Sequence, residues 1–541
     1  MNQVSGQLID ILNRSTYPAV IHFENGVIQN IEKTDEAPDQ YILPGFVDAH
    51  VHVESSMLVP SEFGRLAAVH GTVGTISDPH EIGNVLGVKG VEYMIENGKQ
   101  INFKFHFGAP SCVPATTFET AGAEINVDDV EYLLKKPEIN YLAEMMNWPG
   151  VLFNDETAFA KIAKAKALGK PVDGHAPGLI GEQAKTYAAA GISTDHECFT
   201  LEEAQEKLDC GMKILIREGS AAKNFEALIP LLDKNYERIM FCSDDKHPDN
   251  LVEGHINLLV KRALAKGNDL YKVLQAACVN PVNHYNMNIG LLQENDPADF
   301  ILVDNIEDFN VQQTWINGAM VAENGTSNIP KVQNTIINNF DCQPKTADQF
   351  KIEIKGSKVQ VMEALDGQLI TNLLSFDSGL IYNQNQTNTD EDILKVTVVN
   401  RYKEATPAIG YIKNIGLKEG AIASSVGHDS HNIIAVGVDD ESIAMAVNLI
   451  IAAKGGVSAV GKGEEQLLEL PVAGIMSEKD GYEVAEAYSQ IDAFAKSLGS
   501  SLNSPFMTLS FMALLVIPKA KMSDLGFFDG ESFKFIDVFT D

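Results

Sequence analysis

His50-Val51-His52 sets two imidazoles two residues apart, and four later segments close short apolar runs with a single ionisable residue: Glu144 in LAEMMN, His175 in DGHAPG, His196 in TDHE and Asp244 in CSDD. Residues two apart in a strand face the same side, so His50 and His52 point one way if their run is extended. Neutral imidazole is the commonest protein ligand for divalent transition metals, and two on one face make a minimal chelate. A carboxylate neutralises ionic charge that imidazole cannot, which makes Glu144 the natural bridge between two ions. Asp244 is suited both to bind a metal and to take a proton from the water it activates. Singly, such residues are more often structural than ligating. Together with His-x-His they describe a centre of His50, His52, Glu144, His175, His196 and Asp244. Mixed imidazole and carboxylate donors suit Mn, Fe(II) or Zn.

The elements that would position them recur. Between Tyr41 and Asn283 the runs YILPGFVDAHVH, GTVGTISDPHE, INFKFHFGAPS, INYLAEMMN, PVDGHAPG, ISTDHECF, GMKILIREGS and RIMFCSDD alternate with helical patterns such as FNDETAFAKIAKAKALG and LEEAQEKLDCG. Such alternation predicts an α/β fold, a parallel (β/α)8 barrel over 44–285, with its polar residues at the carboxyl ends of the strands, where barrel sites lie. Residues 1–43 read as strands, with Asn25-Gly26 a hairpin turn between alternating runs. ADFILVD and TWINGAMVAENG, within 286–335, read as return strands that complete a small β-sandwich built from both flanks. Residues 330–345 form a linker, and 346–541 a separate α+β domain.

Composition narrows the partners. The 41 Lys+Arg and 74 Asp+Glu of the 541 residues leave a formal charge of −33, which repels nucleic acid and anionic membrane surfaces. The apolar stretch PFMTLSFMALLVIP is too short to span a bilayer and reads as core. MNQVSGQLID lacks the basic and apolar regions of a secretory signal, and the six cysteines form no CxxC pair. A reduced, cytoplasmic protein is expected.

PGFVDAHVH, with the later single His, single His and Asp, resembles the amidohydrolase superfamily, and ADFILVD is similar to its post-barrel strand. The resemblance is closer to its adenine deaminase branch, through PGFVDAHVHVESSM, SDPHEIGNV, SCVPA, LAEMMNWPGV, DGHAPGL, LIREGSAAKN, VEGHI and GHDSHNIIAVGV. It implies hydrolytic deamination of adenine to hypoxanthine and ammonia in purine salvage. It also implies a divalent metal centre, two ions of Mn or Fe(II) per subunit, and a homo-oligomer such as a dimer. The six residues above fall on the ligand positions. Hydroxide formed at the metal would attack C6, with Asp244 taking the proton and delivering it to ammonia. Glu144, His80 and Glu81 are the candidates near purine N1.

Arg217 and Ser220 are candidate substrate contacts, with a structural ion pair the favoured reading of Arg217. His255 reads as packing or capping, and His428 and His431 as part of a lid or an interface. His52-Val53-Glu54 imitates H-x-E, but the P-C-x-x-C of zinc nucleobase deaminases is absent. His80-Glu81 and His196-Glu197 do not continue to HExxH. The segment after His175 is Ala-Pro-Gly, without the Glu of mononuclear deaminases, and the fourth run offers Glu144 where hydantoinase-like members use lysine. A binuclear amidohydrolase acting on another cyclic amidine or amide, and a non-catalytic scaffold, are the alternatives.

Overall fold

The computed structural model describes residues 1–541. Strands β1 (Asn2–Asp10), β2 (Ser15–Glu24) and β3 (Val27–Lys33) form an antiparallel meander. Asn25 and Gly26 join β2 to β3 with φ of 53° and 81°, the positive pair that a tight hairpin turn requires. β4 (Tyr41–Pro44) runs parallel to β1 and leads into the barrel.

The barrel strands are β5 (Phe46–Val51), β6 (Thr72–Ser77), β7 (Lys104–Ala109), β8 (Ile139–Met145), β9 (Val172–Gly174), β10 (Thr194–Asp195), β11 (Lys213–Arg217) and β12 (Ile239–Cys242). One falls in each of the apolar runs, and their pairing is parallel throughout. Two seams close the circle. Ser193 N–H donates to the Val172 carbonyl at 2.9 Å, joining β9 to β10. At the other seam Asp244 N–H donates to the His50 carbonyl at 2.9 Å, and His52 N–H to the Asp244 carbonyl at 3.3 Å.

Beneath that seam, buried Asp48 accepts from Ser243 N–H at 3.0 Å, from His50 N–H at 3.2 Å and from His255 Nε2 at 2.8 Å. Thr72 Oγ1 stands 2.7 Å from the other nitrogen of His255. His255 is thus a packing residue, at the start of the helix Ile256–Ala265.

The return strands β13 (Phe300–Val303), β14 (Val311–Ile316), β15 (Ala319–Glu323) and β16 (Thr326–Ser327) extend the flank sheet, with order β16-β15-β14-β13-β4-β1-β2-β3. Phe23 on β2 lies three strands from Phe300 on β13, roughly 14 Å in a flat sheet. Their rings are 5.6 Å apart, and Phe23 also meets Trp315 at 5.4 Å, so the sheet folds over and buries its own core.

Residues 330–345 carry no regular element yet are pinned: Asn334 Oδ1 accepts from Ser61 at 3.1 Å and Asn97 at 2.6 Å. Beyond them lie β17 (Lys358–Ala364), β18 (Thr371–Asp377), β19 (Leu394–Val399), β20 (Ala408–Lys413), β21 (Ala421–Ser424), β22 (Ile433–Gly437), β23 (Gly456–Gly461) and β24 (Glu464–Glu469). They form a sheet of order β18-β17-β20-β19-β22-β21-β23-β24, covered by the helices Asp440–Ala453 and Gly481–Ser497. One continuous apolar cluster runs from Val47 and Leu142 in the barrel to Ile434 and Leu514 in this C-terminal unit. The helix Pro505–Phe511 is wholly buried in it, and no helix is long and apolar enough to cross a membrane.

Asp48 therefore ties β5 to β12 and to the helix behind them. Asp48→Ala strands His255 and the Ser243 donors without water, at an expected cost of about 3 kcal/mol. Denaturant unfolding of the metal-free protein measures it, and an unchanged midpoint would show that the seam holds without Asp48.

Candidate functional site

All six residues assigned as ligands from the sequence converge at the carboxyl ends of the strands, and all are buried. His50 and His52 leave the end of β5 with their Nε2 atoms 3.2 Å apart. Asp244 Oδ1 lies 3.4 Å from His50 Nε2 and 3.2 Å from His52 Nε2. Glu144, near the end of β8, stands at the centre. Its Oε1 is 3.5 Å from His52 Nε2, and its Oε2 is 2.9 Å from His175 Nδ1 and 3.1 Å from His196 Nε2. Its two oxygens thus face different sets of histidines.

The donor set fits a divalent cation. His52 Nδ1 is 3.2 Å from the Asp78 carbonyl oxygen, which can only accept, so Nδ1 carries the hydrogen and the Nε2 lone pair of the neutral ring faces the oxygens of Asp244 and Glu144. Lone pairs aimed at lone pairs in a dry site require a positive charge between them. Two ligands held about 2.1 Å from one ion sit roughly 3 to 3.5 Å apart, which is the spacing here. The field agrees. Burial opposes ionisation of His52, Glu144 and Asp244, yet their neighbours hold His52 well above its ordinary pKa and both carboxyls well below theirs.

Arg217, at the end of β11, gives Nη1 to Asp244 Oδ2 at 2.6 Å and pairs with Glu197 through both terminal nitrogens, Nη2 reaching Oε2 at 3.1 Å. Its guanidinium lines the cavity, but its charge is committed to two carboxylates. That leaves Asp244 Oδ1 turned to the histidines. Asp244 has φ of 54°, a left-handed conformation that Asp tolerates better than most residues. Ser220 is not brought to the cavity: its hydroxyl accepts from His247 N–H at 2.8 Å and takes no part in the lining. The chain turns sharply after Arg217, and Ser220 serves the loop after β12 instead.

His80 and Glu81 start the helix His80–Leu86 above the end of β6, and both line the cavity. Asp78 Oδ2 holds His80 Nδ1 at 3.0 Å, so Nε2 faces Asp429 Oδ1 and Glu81 Oε1, each 3.7 Å away. Sequence reasoning missed Asp78, Glu197, Asp245, Asp429, Leu369 and Leu514. Asp78 and Glu197 adjoin strand-tip histidines, which was a usable signal. The last three come from the C-terminal unit, and nothing local marked them. His428 and His431 arrive from that unit too, and both meet Glu81. They form part of a lid within this chain.

Together these groups enclose only about 30 Å³, room for water and too little for a purine. A larger cavity of about 640 Å³ lies behind the tips of β7 and β8, lined by Ser111, Cys112, Met145 and Lys161, and contains none of the six ligands. The smaller space is lined by four of the six donors, His52, Glu144, His175 and Asp244.

A closed parallel barrel with imidazoles and carboxylates at one mouth defines a hydrolase of the amidohydrolase class. Residues 41–321 match the Amidohydrolase family, and residues 368–534 match the Adenine deaminase C-terminal domain. Relatives named "Adenine deaminase" are similar end to end: one from Salinibacter ruber is 52% identical over 540 residues, covering 99% of each chain. Another from a Sulfurovum species is 54% identical over 538 residues, again 99% of each, and one from Methanosarcina mazei is 49% identical over 556 residues, 100% of each. The chain belongs to the adenine deaminase family.

Metal content tests the donor set directly. His50→Ala and His196→Ala should each lower the divalent metal that elemental analysis finds in protein purified from Mn(II)-supplemented cells, whereas Ser220→Ala should leave it unchanged.

Proposed function

We propose that the buried centre hydrolyses the C6–amino bond of adenine, giving hypoxanthine and ammonia. The observation that carries the reading is the convergence of six buried donors, with Glu144 at their centre, in a chain whose relatives carry that name along their whole length. His50, His52, Glu144, His175, His196 and Asp244 would hold the metal, Mn or Fe(II) with Zn also suited to the donors. Glu144, with one oxygen toward His52 and the other toward His175 and His196, favours two ions. A bound divalent ion supplies Lewis acidity and lowers the pKa of water from 15.7 toward about 7.

The chain's own groups supply the rest. Arg217 fixes Asp244 Oδ2, leaving Oδ1 to take the proton of the attacking water and return it to the departing amine. Water adds to C6 as the ring takes a proton at N1, and ammonia leaves as the C6–N bond breaks. Glu81 and His80 border the cavity and are the candidates to face the ring near N1, with Asp78 keeping His80 Nε2 turned inward. Met146, Leu369 and Leu514 are the apolar lining available to a flat ring. A neutral substrate suits an acidic chain better than a phosphorylated one. The reading extends to a cytoplasmic enzyme of purine salvage, supported by six cysteines that are all free thiols.

Mn(II)-loaded protein should release ammonia from adenine, and Asp244→Asn should lower kcat by about 10³-fold, the scale of a lost general base. Turnover of another cyclic amidine with adenine untouched would reassign the substrate. Full activity in the Asp244→Asn enzyme would remove Asp244 from the proton path.

A further inference from the structure

Glu81 is held from the far end of the chain. His431 Nε2 donates to Glu81 Oε2 at 2.5 Å across 350 positions of sequence, and His428 Nδ1 stands 2.5 Å from Oε1. Each carboxylate oxygen therefore has its own imidazole, and Glu81, His428 and His431 are all buried. These separations are shorter than the roughly 3 Å at which two ligands of one ion approach, so Glu81 is paired directly with both rings, by a hydrogen bond to His431 and by charge to His428, and the cluster differs in kind from the centre around Glu144.

The two histidines are themselves rigidly placed. The His428 ring stacks on Phe511 with centroids 5.2 Å apart. His431 has φ of 55° and donates its N–H to the Gly427 carbonyl at 2.7 Å. Between them, the Ser430 carbonyl accepts from Tyr402 Oη at 2.6 Å, and Asn432 Nδ2 reaches back to the Thr120 carbonyl of the barrel at 2.9 Å.

We propose that the C-terminal unit completes the active site, with His428 and His431 as positioning residues that hold the Glu81 carboxylate toward the substrate. The inference rests on the reading that Glu81 faces the purine ring. A buried carboxylate with free rotamers would turn away or take up a proton. Burial acts on Glu81 in the same sense, but His428, His431 and His80 overcome it and keep Glu81 well below the ordinary carboxylate range. The two imidazoles thus fix which way the carboxylate points as well as its charge. They also make the C-terminal unit a working part of the catalytic mouth.

A double-mutant cycle separates positioning from mere folding. His431→Leu and His428→Ala remove the donors. His431→Gln and His428→Asn keep an N–H near Nε2 and Nδ1 respectively. The donor-less variants should lower kcat for adenine 10- to 100-fold, with KM within about three-fold and bound metal unchanged. The amide variants should recover at least ten-fold of a 100-fold loss. In a Glu81→Gln background the same histidine changes should cost nothing further. Full kcat in the donor-less variants, or losses that multiply in the Glu81→Gln background, would overturn the proposal, as would a loss of metal or fold that the amide variants share. Full activity of Glu81→Gln alone would instead sink the reading of Glu81 on which it rests.

Discussion

The seam between β12 and β5 is the constraint on which the site depends. Asp244 N–H reaches the His50 carbonyl, and the Asp244 carbonyl receives His52 N–H, so two hydrogen bonds close the barrel and bring three donor side chains to one point. Closure and ligation are therefore the same event in the fold. Asp48, one layer deeper, links Ser243, His50 and His255 and keeps the strands in that register. Every other donor needs only a strand tip of the right length, because the closed circle already aims the carboxyl ends of all strands at one axis.

Electrostatics explains why the mouth must hold cations. Asp78, Glu81, Glu144, Glu197, Asp244, Asp245 and Asp429 gather within it, against the fixed charge of Arg217 alone among the groups that line the cavity or support it. Arg217 is spent on Glu197 and Asp244. Burial would force such an excess of carboxylates to take up protons. Instead His175 and His196 hold Glu144, and Arg217 with His50 and His52 holds Asp244, well below the ordinary carboxylate range. A divalent ion would supply that compensation as a charge that water cannot carry away.

The legible part of this site was the part written in short-range pattern. His-x-His, the strand-ending Glu144, His175, His196 and Asp244, and the alternation of runs with helices were readable because strand geometry alone converts them into positions. The Asn25-Gly26 hairpin was readable for the same reason. Ser220 shows the limit: it follows a strand tip in sequence, yet its loop turns it to His247 N–H. For Arg217 an ion pair was the favoured reading over a substrate contact, but its partners, Glu197 and Asp244, lie on other strand ends and could not be named from the sequence. The roof was readable only where it carried a motif: His428 and His431 read as part of a lid or an interface, whereas Leu369, Asp429 and Leu514 have no local signature of a cavity, because their meaning comes from docking against residues some hundreds of positions away.

That roof divides the labour of the chain. In the proposed reading the barrel would hold the metal and activate water, while the C-terminal unit covers the cavity with Leu369 and Leu514. Buried Lys521 donates to the carbonyls of Leu369 at 2.6 Å and Phe511 at 2.9 Å, tying together the two segments that bring Leu369 and Leu514 over the cavity. Burial lowers the pKa of Lys521 to about 7, so near neutral pH the tie can be made by the neutral amine as well as by the ammonium. With the roof seated, only about 30 Å³ remains beneath it. A space of that size leaves no room for bulk water, and the unit that bounds it also brings His428 and His431 to Glu81. Water exclusion and the surroundings of that carboxylate are thus set by one docked surface.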